Sequence, residues 1–241
     1  LNALIEGEQG DAGNSDASGD KLDLGLTGLQ QQLLEAVVGV GKPVILVLVA
    51  GSALAVTFAE ERASAVVQAW YPGEEGGSAL AEVLFGDVSP AGRLPVTFPR
   101  ALTDVPAFED YAMQGRTYRY LAAEPLFPFG FGLSYTRFEY SRLELSTTEA
   151  PVSQDLQIEV RVTVTNVGAR ASDEVVQLYV KDLESSVTVP HHELRGIQRL
   201  HLAPSASQLV RFSLSAKSLS LIDAQGNRQL EPGTFRIFAG G

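Results

Sequence analysis

"LQIEVRVTVTN" at 156–166 puts Leu156, Ile158, Val160, Val162 and Val164 on one side of an extended chain and polar residues on the other. Strict apolar–polar alternation predicts a half-buried strand of an antiparallel sheet. The theme returns in "EVVQLYV" (174–180), "IQRLHL" (197–202), "LVRFSL" (209–214) and "TFRIF" (234–238). Turn signals "NVG", "AQGN" and "EPG" separate these runs. Roughly seven short strands in about a hundred residues is the size of an immunoglobulin-like or fibronectin III-like β-sandwich. Residues 137–241 are assigned to it.

Upstream the period changes. "PVILVLVA" at 43–50 is apolar on both faces, the pattern of a strand covered on both sides in an α/β sheet. Before it, Thr27 and Gln30 have capping-box spacing, and Leu29, Leu33, Leu34, Val37 and Val38 fall on one helical face, closed by Gly39, Gly41 and Pro43. "AVVQAW" (65–70) and "RLPVTF" (93–98) are further strand candidates. Between them, Leu80, Val83 and Leu84 form the inner face of a short helix ending at Gly86. The fold class is therefore α/β plus all-β, with an α/β piece over 1–100. Three strands make a small sheet with an open edge, so another part of the protein or a companion chain is expected to cover it. Residues 101–136 hold prolines, glycines and many aromatics with little periodicity, which predicts an ordered linker.

At 241 residues the chain is long enough for two domains with real cores. A net charge of −11, with no Lys/Arg run, argues against a nucleic-acid groove. With no cysteine there is neither a disulfide framework nor a thiolate metal site. "PVILVLVA" is too short to span a bilayer, so no membrane segment is expected. The chain opens on Leu1 without a targeting segment, which suggests a fragment or processed product and leaves the compartment open.

Few groups present themselves for chemistry. "YPGEEGG" (71–77) lacks the Walker and dinucleotide spacings, and its two glutamates would repel phosphate, so it reads as a tight turn with close helix packing. "GSAL" (51–54) is not a nucleophile elbow. His191 and His192 have no third ligand at a useful spacing, and His201 falls in a strand pattern as a surface residue. No metal or organic cofactor is expected. The carboxylates remain. Glu6 and Glu8 lie in the acidic, small-residue stretch "LIEGEQGDAGNSDASGD" (4–20), either as solvated loop acids or as one member of the carboxylate pair that glycoside hydrolysis needs.

The chain also resembles a known family. "AWYPGEEGGSALAEVLFGDVSPAGRLPVTFPR" (69–100), "GRTYRYL" (115–121), "PLFPFGFGLSYTRFEYS" (125–141), "DEVVQLYVKD" (173–182), "ELRGIQRLHL" (193–202) and "EPGTFRIF" (231–238) are similar, in that order, to the C-terminal half of glycoside hydrolase family 3. The resemblance implies the back half of an α/β sandwich followed by a fibronectin III-like domain. It also implies an N-terminal barrel, elsewhere in the protein, that supplies the nucleophilic aspartate and most sugar contacts. The implied ligand is a β-linked oligosaccharide or glycoside, and the implied activity is that of a retaining, exo-acting β-glucosidase or β-xylosidase. A non-catalytic carbohydrate-binding or packing module is the rival from another class. "DLGLTGLQQQLLEAV" (23–37) matches the segment that follows the family's acid/base glutamate, which puts that residue in "EGEQGD" (6–11). Glu8 fits a Glu-x-x-Asp context through Asp11, and Glu6 a Glu-Gly context through Gly7. Ala12 stands where the family carries Arg after the Asp, and this departure leaves the assignment open between Glu8, which leads, and Glu6, the alternative.

Overall fold

The structure, a computed structural model, describes residues 23–107 and 109–241. The chain clusters into two compact units. The first takes the described residues up to Leu84 with Val96–Thr117 and Leu121–Phe129; the second takes Phe85–Pro95, Tyr118–Tyr120 and Gly130–Gly241.

The first unit is built around a β–α–β turn of chain. Helix α1 (Gln30–Gly39) leads to strand β1 (Ile45–Leu48), helix α2 (Thr57–Arg62), strand β2 (Ala65–Gln68) and helix α3 (Gly76–Phe85). β1 and β2 run parallel, from Ile45 opposite Ala65 to Leu48 opposite Gln68. The sixteen residues between them, carrying α2, meet the length a parallel crossover needs. Leu34, Leu48, Ala50, Leu54, Val56, Ala59, Phe98 and Leu126 form the buried apolar set among the described residues. Arg116 of "GRTYRY" holds the preceding chain in place from its guanidinium: Nη2 donates to the carbonyls of Ala107 (2.8 Å) and Asp110, and Nε to that of Ala112 (3.1 Å).

Three expectations are corrected here. The Thr27–Gln30 capping box does not form: α1 starts from Leu29 without a side-chain cap, and Gln30 N–H donates to the Thr27 carbonyl instead. Gly28, at φ +56°, turns the chain between them, so Thr27 is not the residue that opens the helix. "RLPVTF" yields only an isolated bridge, Phe98 opposite Phe127, because Pro95 has no N–H for a ladder and Pro99 closes the run. The inward faces are also less covered than the patterns imply. Leu34 alone of α1 is buried, while Leu29, Leu33 and Val37 are exposed, as are Ile45 of β1 and Val49 just after it.

The second unit is a β-sandwich. One sheet has the order β11 (Phe235–Gly240), β6 (Ser172–Asp182), β7 (Glu193–Leu202). The other is centred on β5 (Gln157–Asn166). It pairs with β8 (Ser207–Ser215) along one side, and with β3 (Phe138–Tyr140) and then β4 (Glu144–Leu145) along the other. A small hairpin joins β9 (Leu221–Ile222) to β10 (Arg228–Gln229). Every pairing in this unit is antiparallel. Val160, Val162 and Val164 of β5 face Val176, Leu178 and Val180 of β6 with Leu200, Leu202, Val210 and Leu214. Each such side chain, fully buried, stabilises the fold by about 1.5–3 kcal/mol before entropy is charged against it. Buried Asn166 ends β5 with its amide fully used. Nδ2 donates to the Arg170 and Leu202 carbonyls, and Oδ1 accepts from Thr136 Oγ1 and Gly168 N–H.

Candidate functional site

Glu6, Glu8 and Asp11 lie outside the described residues. The structure does describe where the chain arrives from that stretch. The Asp23 carboxylate accepts from Gly25 N–H at 2.7 Å, and the Leu24 carbonyl accepts from Ala55 N–H at 2.7 Å. Ala55 belongs to the connection that leaves the carboxyl end of β1. In open α/β sheets that end of the strands is where ligands bind, because the connections leave a crevice there.

β2 delivers its own connection to the same end of the pair. Gln68 Nε2 donates to the Ala50 carbonyl at 2.7 Å, tying the last residue of β2 to the chain after β1. The strand expected over 65–70 stops at Gln68, and Trp70 turns into the left-handed region at φ +54°. For a bulky residue this backbone is strained. What holds it is packing: the Trp70 ring meets buried Phe98 edge-on, with centroids 6.2 Å apart, and Phe98 meets Phe127 at 6.1 Å. The turn sends the next aromatic outward, so Tyr71 is 68 % exposed. Its ring lies against Gly51, where an added Cβ would come within 2.5 Å of Tyr71 Cε2. "YPGEEGG" then closes as the tight turn its composition suggests. Gly73 sits at φ +75°, and a Cβ on buried Gly76 would strike Pro72 Cγ at 2.5 Å.

In the second unit a cavity of about 400 Å³ opens between β6, β7 and the β9–β10 hairpin. Arg119, Arg195, Arg228, Asp182 and Glu193 line it together with Tyr120. Arg195 is the extra residue where β7 slips register against β6, a bulge that turns its side chain to this side. It donates to Glu193 at 2.5 Å, and the other Glu193 oxygen lies 3.6 Å from Arg119. The single carboxylate thus offsets one of the two guanidinium charges.

Next to it His192 packs between Tyr118 (5.4 Å) and Tyr179 (5.1 Å). Burial, with help from His191 and Lys181, depresses the imidazole pKa. Burial and nearby Tyr118 push the Tyr179 hydroxyl up to about 12. His201 is a surface residue of β7, its Nδ1 2.6 Å from Asp173. Among the described residues no group of three or more His, Asp and Glu could hold a metal ion. No helix among them is long and apolar enough to cross a membrane.

Glu193 and Asp173 are thus each held in ion pairs, and the chain just past β2 carries the exposed Tyr71. The model for the glycosyl hydrolase family 3 C-terminal domain matches residues 2–135, and that for a fibronectin type III-like domain matches 174–241. The chain belongs to glycosyl hydrolase family 3. A β-xylosidase from Formosa agariphila is 40 % identical over 92 % of this family 3 chain and 31 % of its own length. A β-glucosidase from Rhizobium radiobacter is 42 % identical over 96 % of the chain and 29 % of its own. The solved structure of a β-glucosidase from Erythrobacter marinus superposes with a TM-score of 0.82 at 39 % identity, covering 94 % of this chain and 30 % of that one. The chain thus spans about a third of the length of the relatives it matches.

Sequence reasoning did not foresee the left-handed turn at Trp70 or the exposed Tyr71 that follows it. Their signal was present: two aromatics in a row cannot both face one side of a strand, and the Pro-Gly behind them marks a turn.

Proposed function

We propose that this chain is the C-terminal part of a retaining, exo-acting β-glycosidase, a β-glucosidase, that removes terminal non-reducing sugars from β-linked oligosaccharides and glycosides. The observation that carries the proposal is the family match across 2–135, which includes the acidic stretch and the segment after it. Glu8 acts as acid/base, with Glu6 the alternative. A barrel portion of the same protein, or a companion chain, supplies the nucleophile. β-Xylosidase activity is the second reading, favoured by relatives of that name at 40 % and 41 % identity.

The mechanism follows from two carboxyl groups about 5–5.5 Å apart. The nucleophile attacks the anomeric carbon while Glu8 protonates the departing oxygen, and Glu8 then takes a proton from the water that releases the sugar. To hold its proton near neutrality the acid needs a raised pKa, which the charge of the neighbouring nucleophile provides. The test uses the full-length parent. Glu8→Ala should lose most activity on substrates with poor leaving groups and less in the first step on activated aryl glycosides. Azide, a nucleophile that needs no general base, should then restore turnover and yield a glycosyl azide. Rescue in Glu6→Ala but not Glu8→Ala moves the role to Glu6. Rescue in neither removes the acid/base assignment from this loop.

A further inference from the structure

We infer that the cavity beside the β9–β10 hairpin of the sandwich binds an acidic sugar, a uronic acid, through its carboxylate. The cavity measures about 400 Å³, within the roughly 300–1,000 Å³ of small-molecule sites. Every residue on its wall belongs to the second unit. Its charge decides the class of ligand. Arg119, Arg195 and Arg228 line it against Asp182 and Glu193, so three guanidiniums and two carboxylates leave one positive charge. The protein as a whole carries −11. A positive recess on so acidic a chain is a local exception to its field.

The acids of the cavity are already engaged, while two of its guanidiniums keep unused donors. Glu193 divides its oxygens between Arg195 at 2.5 Å and Arg119 at 3.6 Å, and Asp182 accepts from the Glu184 N–H at 3.0 Å just past β6. Arg195 gives one Nη to Glu193, and its Nε has no acceptor among the described residues. Arg228, exposed on β10, has no acid partner among them. The fold holds Arg195 in place. It is the bulged residue of β7, and Gly196 beside it has no Cβ, where one would strike the Phe212 ring at 2.5 Å. Bulges re-aim side chains in this way beside functional sites. A planar guanidinium fork matches a carboxylate bidentately. A carboxylate also brings the one negative charge required, whereas a phosphate monoester brings close to two and would leave the recess anionic. The rest of the wall suits a pyranose: Thr188 and Ser218 place hydroxyls for its rim, and Tyr120 and Leu221 apolar surface for its faces. The carboxylate follows from the charges; the choice of a sugar to carry it rests in part on the glycosidase reading.

The experiment titrates the 241-residue chain with glucuronate, glucose, acetate and inorganic phosphate at equal ionic strength, read by calorimetry. Glucuronate should bind saturably, about tenfold or more tighter than glucose, which lacks the charge, and than acetate, which lacks the ring. Arg228→Ala should weaken glucuronate about tenfold, the loss of one charge-assisted contact, and Arg228→Lys should restore part of it. Arg228 is exposed, so both variants should keep the denaturant midpoint of the parent chain. Added salt should weaken glucuronate binding. No saturable binding of glucuronate, equal binding of glucose, or parental affinity in Arg228→Ala overturns the site. Phosphate binding tighter than glucuronate overturns the uronic acid in favour of a phosphate. Acetate binding as tightly as glucuronate overturns the sugar, the part that rests on the glycosidase reading. No readout here uses turnover, so a parent enzyme inactive on glycosides sinks the glycosidase reading separately and leaves the binding result to be judged by itself.

Discussion

His192 sits between two tyrosine rings with its imidazole half-buried, and burial is the first cause of its depressed pKa. An unfolded chain returns that group to about 6.5. Between the folded value and 6.5 the unfolded state therefore binds more protons, so stability rises with pH through this window. The contribution is fully present above 6.5 and is lost as pH falls towards the folded pKa. His192→Phe keeps the ring packing and removes the titration. Denaturant midpoints at pH 7.5 and 5.5 should differ less for His192→Phe than for the parent chain; identical differences would count against the assignment. In the sequence the histidine pair at 191–192 showed only that it lacks a third ligand at a useful spacing. Its stacking was not legible, because Tyr118 lies over seventy residues upstream of it.

Elements with a strict period were read from sequence with ease. β5 places every second residue in the core, so alternation alone located it, and its partners repeat the pattern. The α/β unit was harder, because single residues decided its elements. Gly28 displaced the start of α1, Pro95 dissolved a strand, and Trp70 ended β2 early. Least legible was the pairing of Arg93 with Glu174, eighty-one residues apart. Their side chains, 8 % and 4 % exposed, meet at 2.8 Å, and Glu174 also accepts from the Tyr140 hydroxyl at 3.2 Å and its neighbour's N–H at 3.0 Å. Burial, followed by the carboxylate beside it, raises the Tyr140 pKa well above its ordinary value. The bridge fastens the segment before Pro95 to β6 within the second unit. Arg93→Met leaves the carboxylate buried and uncompensated, which should cost about 3–5 kcal/mol in chemical denaturation. Adding Glu174→Gln removes the orphan charge yet keeps an acceptor for Tyr140 and Val175. The double variant should therefore be more stable than Arg93→Met alone. A double variant as unstable as the sum of its parts would mean that the bridge's charge is not what matters.

At the scale of the molecule, the sandwich and the α/β unit differ in how far each satisfies itself. The sandwich buries valines and leucines from two facing sheets. The α/β unit leaves Leu29, Leu33, Val37 and Val40 exposed on and beside α1, and Ile45 and Val49 exposed at β1. A patch of this kind marks an interaction surface, and the relatives are about three times as long as this chain. On the proposed reading the remaining two thirds cover the patch and bring the nucleophile to the acid. One carboxylate cannot run a double displacement. The purified 241-residue chain should therefore give no turnover of aryl β-glucosides or β-xylosides. Mixing it with the separately produced remainder of the parent should recover activity. Leu33→Asp should weaken that recovery, because it buries a charge at the joint, while leaving the isolated chain folded, since Leu33 is already exposed there. Glu8→Ala should abolish recovery on substrates with poor leaving groups without weakening association. Turnover by the chain alone would place a complete carboxylate pair within these residues and end the two-part account. Unimpaired complementation by Leu33→Asp would move the joint away from α1 and leave the patch without its proposed partner.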